Sequence, residues 1–157
     1  MLTELCSHLR NYFLRDYADP DASIHHGTFT VSDGQMQDLP FLAPGQYYRV
    51  IGSVFNDGVW QYTPEERSAG QMHNETFDGT IWAMQVPPDV LFLAEEIEAW
   101  RVANASALSS PYQSESFGGY SYSKASGGGA GGSGSGAYGW QDQFAARLAP
   151  YRRLSVL

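Results

Sequence analysis

A chain of 157 residues with 43% hydrophobic residues holds one domain's worth of core, and its 17 Gly and 8 Pro assign much of the length to turns and loops. The net charge of −8, with no extended basic run, makes the chain a poor candidate for gripping nucleic acid through phosphate neutralisation. Cys6 is the single cysteine, which excludes an internal disulfide, and the opening MLTELCSHLRNYF lacks the positive region and unbroken apolar run of a secretion signal, so synthesis in the cytoplasm is expected.

The first element is an amphipathic helix over 2–17. Leu2, Leu5, Cys6, Leu9, Tyr12 and Phe13 recur at helical spacing, Thr3 is the expected N-cap, and Cys6 is expected as a buried, inert thiol. Ala-Asp-Pro-Asp at 18–21 is turn chemistry. From 27 to 86 the period changes to that of strands. Thr28-Phe29-Thr30-Val31 runs into Ser32-Asp33-Gly34, a turn signal, and Gln46 to Ile51 forms a second strand. Ser53-Val54-Phe55 and Val59-Trp60-Gln61-Tyr62 read as a hairpin around Asn56-Asp57-Gly58, and Phe77 to Met84 adds a further strand. Four or five short strands with tight turns predict a small antiparallel sheet or partial barrel.

Pro87-Pro88-Asp89 opens a helix over 88–104, with Val90, Leu93, Ala94, Ile97 and Trp100 as its apolar stripe. An extended hairpin over 114–124 closes a core running from 1 to 124. Residues 125–137 are almost pure Gly, Ser and Ala, a tether with a reach of about 20 Å. In the last segment, 138–157, Trp140, Phe144, Leu148 and Tyr151 fall at helical intervals, predicting a helical arm that needs a surface to rest on. The fold class expected is α+β: a small helical bundle with an inserted antiparallel β-module, an extended hairpin and a C-terminal helical arm.

Catalytic constellations are scarce. His25-His26 in an extended segment point to opposite faces, and no partner has ligand spacing. His8 and His73 have no nucleophile beside them, and Glu95, Glu96 and Glu98 read as a solvated helix flank. Asn56-Asp57-Gly58 lacks the alternating oxygens and closing Glu of a calcium loop, and Gly127–Gly136 lacks the Lys-Ser/Thr of a phosphate cradle. The reading is of a non-enzyme without catalytic residues, metal or cofactor. Tyr47, Tyr48, Trp60 and Trp82 offer a different class, a small barrel stacking single-stranded nucleic acid, against which the charge argues. The 14% aromatic content, with ten Tyr, suits a surface that meets other proteins and equally a half-exposed sheet.

Ser114-Glu115-Ser116-Phe117-Gly118-Gly119-Tyr120-Ser121-Tyr122-Ser123 resembles the S-E-x-I-G-D-Y-S-Y segment of head–tail connector (adaptor) proteins of tailed phages and prophages, with Phe117 for the usual Ile and Gly119 for the usual Asp. The order helix 88–104, Ser-Glu segment, final helix also resembles that family. Gly52 to Tyr62, with Glu75 to Gly79, is similar to a β-module of uncharacterised prophage proteins of gut Firmicutes. The chain departs from the mostly helical family in its β-module and in its longer tether. The resemblance implies a virion neck subunit. It would form a ring, commonly of twelve copies, docked on the portal protein above a head-closure or tail-completion protein, with double-stranded DNA passing through unbound. It further implies an interface built from Ser114, Glu115, Phe117, Tyr120 and Tyr122 against a neighbour, and from Trp140, Phe144, Tyr151, Arg152 and Arg153 against the portal. A head-closure (stopper) or tail-completion protein of the same neck is the alternative.

Overall fold

The computed structural model describes residues 1–64, 71–105, 114–117, 120–123 and 139–153. Its fold is α+β: a five-stranded antiparallel sheet curls into a half barrel, and helices from both ends of the chain form a layer against one face. The strands are β1 (Ile24–Ser32), β2 (Gln35–Met36), β3 (Tyr47–Ile51), β4 (Gly58–Gln61) and β5 (Glu75–Ala83), ordered β2-β1-β5-β3-β4. β1 and β5 carry the longest pairing, from Ile24 opposite Trp82 to Val31 opposite Glu75. Asp33 (φ 54°) and Gly34 (φ 74°) both take the left-handed conformation, the two-residue turn whose twist suits the β1–β2 hairpin.

Side-chain alternation divides the sheet. Val31, Tyr48, Val50, Phe77 and Ile81 face inward and are closed over by Met36, Leu39, Leu42 and Met72. On the other face, Tyr47, Val59 and Met84 lie under the helical layer. Beyond the helices that face is exposed and polar, with Thr28 donating to Asp78, Thr30 bonded to Thr76 (3.1 Å) and His26 to Thr80 (2.8 Å) across β1 and β5. The Arg49 guanidinium lies 3.6 Å from the Tyr12 ring centre and 4.8 Å from that of Trp82, sealing the seam between layers.

Helix α1 (Leu2–Leu9) buries Leu5, Cys6 and Leu9. The helix expected over 2–17 therefore stops at Leu9. Arg10 turns left-handed (φ 52°), and the N–H groups of Arg10 and Asn11 cap Ser7 and Cys6. The Asn11 side chain then accepts the Phe13 N–H (3.0 Å), offering the backbone an alternative to the helix, and Leu14 bridges to Met84 at the sheet end. Thr3 is not the N-cap. Met1 holds that position, and the Thr3 hydroxyl instead accepts the Val59 N–H (2.9 Å), tying α1 to β4. Ser53–Phe55 is likewise not a strand, since β3 pairs with β4 across a loop of residues 52–57.

Helix α2 (Pro88–Ala103) buries Val90, Leu93, Ala94 and Ile97. Two strands follow, β6 (Ser114–Phe117) and β7 (Tyr120–Ser123), paired from Ser114 opposite Ser123 to Phe117 opposite Tyr120, as the sequence predicts. The tether at 125–137 lies outside the described residues. The last segment forms α3 (Trp140–Gln143), α4 (Ala145–Leu148) and a 3-10 turn at Ala149–Tyr151. This arm does not wait for a partner. Trp140, Phe144 and Leu148 are buried with Leu5, Leu9, Leu93 and Ile97, because their four-residue spacing fits the gap between α1 and α2. The Trp140 indole donates to Glu4 (3.3 Å), Asn11 donates to the Tyr151 carbonyl (2.9 Å) and the Arg153 N–H donates to the Leu9 carbonyl (3.1 Å).

Candidate functional site

The most elaborate polar network among the described residues holds up the β3–β4 loop. Gly52 (φ 92°) enters it where a Cβ would press on the Asp78 carbonyl at 3.2 Å, so glycine is required for both angle and space. Asn56 is fully buried (0% exposed) and every polar group on it is satisfied. Its amide donates to the His73 carbonyl (2.8 Å) and to Glu75 (2.6 Å), and its Oδ1 accepts the His73 N–H (2.8 Å). Its backbone N–H donates to the Ser53 hydroxyl (2.7 Å), and its carbonyl accepts the Trp60 indole N–H (2.8 Å). Ser53 in turn donates to Glu75. That bond first, then the Asn56 amide and the N–H groups of Phe55 and Val54, hold the Glu75 carboxyl below its ordinary range.

Two large apolar side chains are carried into solvent by this framework. Val54 is 81% exposed and Phe55 63%. A buried amide with its hydrogen bonds fully met thus fixes the loop that carries the exposed Val-Phe pair, so that loop would need little further ordering if it met a partner. The sequence reading missed this knuckle, because Asn-Asp-Gly looks the same whether it turns a hairpin or locks a longer loop.

Residues expected at an interface divide into three groups. Ser114, Glu115, Phe117, Tyr120 and Tyr122 sit on the β6–β7 hairpin, whose side chains are outside the described structure. Trp140 and Phe144 lie in the chain's own core, edge-on to His8 and to Trp100 respectively, and Tyr151 is half-buried. They hold the arm down against α1 and α2, with Tyr151 partly open to solvent. Arg152 and Arg153 are exposed, Arg152 at 3.3 Å from His8 and Arg153 with its guanidinium 4.6 Å from the Tyr17 ring centre.

Other candidates are absorbed by structure. His26 bonds Thr80 on the open face, whereas His25 stacks on Phe41 with ring centres 3.7 Å apart. Glu96 pairs with Arg147, while Glu95 and Glu98 are exposed. Among the described residues no three His, Cys, Asp or Glu come together as a metal site. Tyr48 is in the inner core, Tyr47 packs against the helical layer, the Trp60 indole is engaged by Asn56, and Trp82 packs beside Tyr12 and Arg49. A small cavity lined by Met36, Tyr48, Trp60, Tyr62 and Met72 has a volume of about 30 Å³. Comparison of the chain with protein-family models, with curated proteins and with solved structures returned no match.

Proposed function

We propose that this chain is a structural subunit of a tailed-phage or prophage neck: a head–tail connector that rings the path of the genome between the portal and the next neck or tail protein. The observation that carries the reading is the Val54–Phe55 knuckle, an exposed apolar pair held up by a buried hydrogen-bond network. The Ser114–Ser123 hairpin and the element order around it narrow the reading to the neck through the resemblance described above. A net charge of −8 suits a channel past which DNA must slide without being held. The curled five-stranded sheet favours a second reading within the same assembly, a head-closure or tail-completion protein, since the connectors it resembles are mostly helical.

Native mass spectrometry of the full chain, alone and mixed with the portal of the same prophage, tests both. A discrete complex with the portal, lost in a Val54→Ser/Phe55→Ser variant of unchanged fold, is the expected result. Binding only to the neck layer below the portal selects the second reading, and binding to neither overturns both.

A further inference from the structure

Two exposed patches of opposite charge lie on the helical layer, and no ion pair joins them within one chain among the described residues. The first is a basic corner. The Arg153 N–H bonds the Leu9 carbonyl (3.1 Å), which pins Arg152 and Arg153 beside Arg10 at the C-terminal end of α1, with Tyr17 under the Arg153 guanidinium. None of these three arginines has a carboxylate partner among the described residues, although the chain as a whole carries 17 acidic residues against 9 Lys and Arg.

The second is the outward face of α2. Phe92 is 63% and Val102 71% exposed, and Glu95 and Glu98 stand between them, exposed and without a cation partner among the described residues. These four share the side of the helix away from Val90, Leu93, Ala94 and Ile97, forming an apolar and acidic stripe about 15 Å long. A core helix with one apolar face leaves a polar one outside, whereas α2 also carries Phe92 and Val102 among the carboxylates of its outer face.

We infer that the occupant of this stripe is the basic corner of a second copy of the chain. Guanidinium groups of Arg152 and Arg153 match Glu95 and Glu98 in charge and in fork-to-carboxylate geometry, and Tyr17 adds an aromatic contact for Phe92 or Val102. The contact is heterologous: each copy added covers one patch of each kind and leaves one of each free, so growth continues until rotation closes it. The inference deepens the connector reading and rests on it for closure as a ring rather than an open filament.

Sedimentation of the full-length protein over a range of concentration and salt provides the test, with circular dichroism as the check on folding. The R152E/R153E and E95R/E98R variants are each expected to weaken self-association about tenfold or more. The quadruple variant, and an equimolar mixture of the two double variants, are expected to restore it, because reversing both sides recreates the match. A quadruple variant that stays dissociated overturns the pairing. Double variants that assemble as well as the wild type also overturn it, and leave the connector reading standing. A wild-type chain that neither associates at any concentration nor binds a portal overturns the two together.

Discussion

Asn56 shows how a single side chain can specify a loop. Its amide, backbone N–H and carbonyl all end on partners inside the protein, so Asn56→Ala abandons buried donors and acceptors and is expected to cost about 2–4 kcal/mol, read as a lowered urea midpoint. Phe55→Ser beside it removes exposed surface and should change stability by no more than about 0.5 kcal/mol. His25 carries a pH signature. Its Nε2 is buried without a partner, and desolvation, then the nearby Arg15 charge, lowers its pKa from 6.5. The unfolded chain therefore takes up the proton first. The full contribution of this residue is present above about pH 6.5 and is lost progressively as pH falls through that value towards the lower folded pKa. His25→Phe should flatten this part of the pH–stability curve, leaving His8, lowered by burial and then by Arg152, to contribute with the same sign. Burial pushes the Cys6 thiol up to about 12 against the opposing pull of Arg49, so alkylation at neutral pH should proceed only in denaturant. The inert thiol is legible from its place in an apolar helical pattern. The Asn56 lock is not, because its partners His73 and Glu75 reach it through tertiary structure.

At the scale of elements, the period of the apolar residues locates β1, β3, β5 and α2 within a few residues. It fails at α1, where Tyr12 and Phe13 keep helical spacing but Asn11 and a left-handed Arg10 have already turned the chain. Spacing reports a face and does not report where backbone hydrogen bonds stop. The arm was legible as helical and apolar, yet its partner is internal, since α1 and α2 leave a gap that only folded coordinates reveal. Leu148→Ala should accordingly cost about 2–5 kcal/mol in equilibrium unfolding, the range for a buried leucine that leaves a cavity. Removing the whole arm strips Trp140, Phe144 and Leu148 from the core, at about 1.5–3 kcal/mol each, against a typical total stability of about 5–15 kcal/mol. Such a truncation tests folding before it tests binding.

For the whole molecule, the change from helical to strand period and back made the α+β class and the inserted β-module readable. Which face of the sheet meets the helices was not readable, because neighbouring residues such as Tyr47 and Tyr48, or Val59 and Trp60, are apolar on both faces at the same end. β5 lies between β1 and β3 and is paired on both sides, so its amides are expected to exchange with solvent most slowly and those of β2 at the sheet edge far faster. The two cores also differ in when they can exist. Every residue of the inner core has left the ribosome once Ala83 has, but the helical layer lacks Trp140, Phe144 and Leu148 until the arm emerges. About 45 residues separate the end of α2 from Leu148, some seconds of translation at about 5–20 residues per second. Through that interval the barrel can be complete while α1 and α2 remain open. The basic corner, which needs Arg152 and Arg153 seated on α1, does not yet exist. A nascent chain at that stage lacks one of the two patches through which copies are proposed to join.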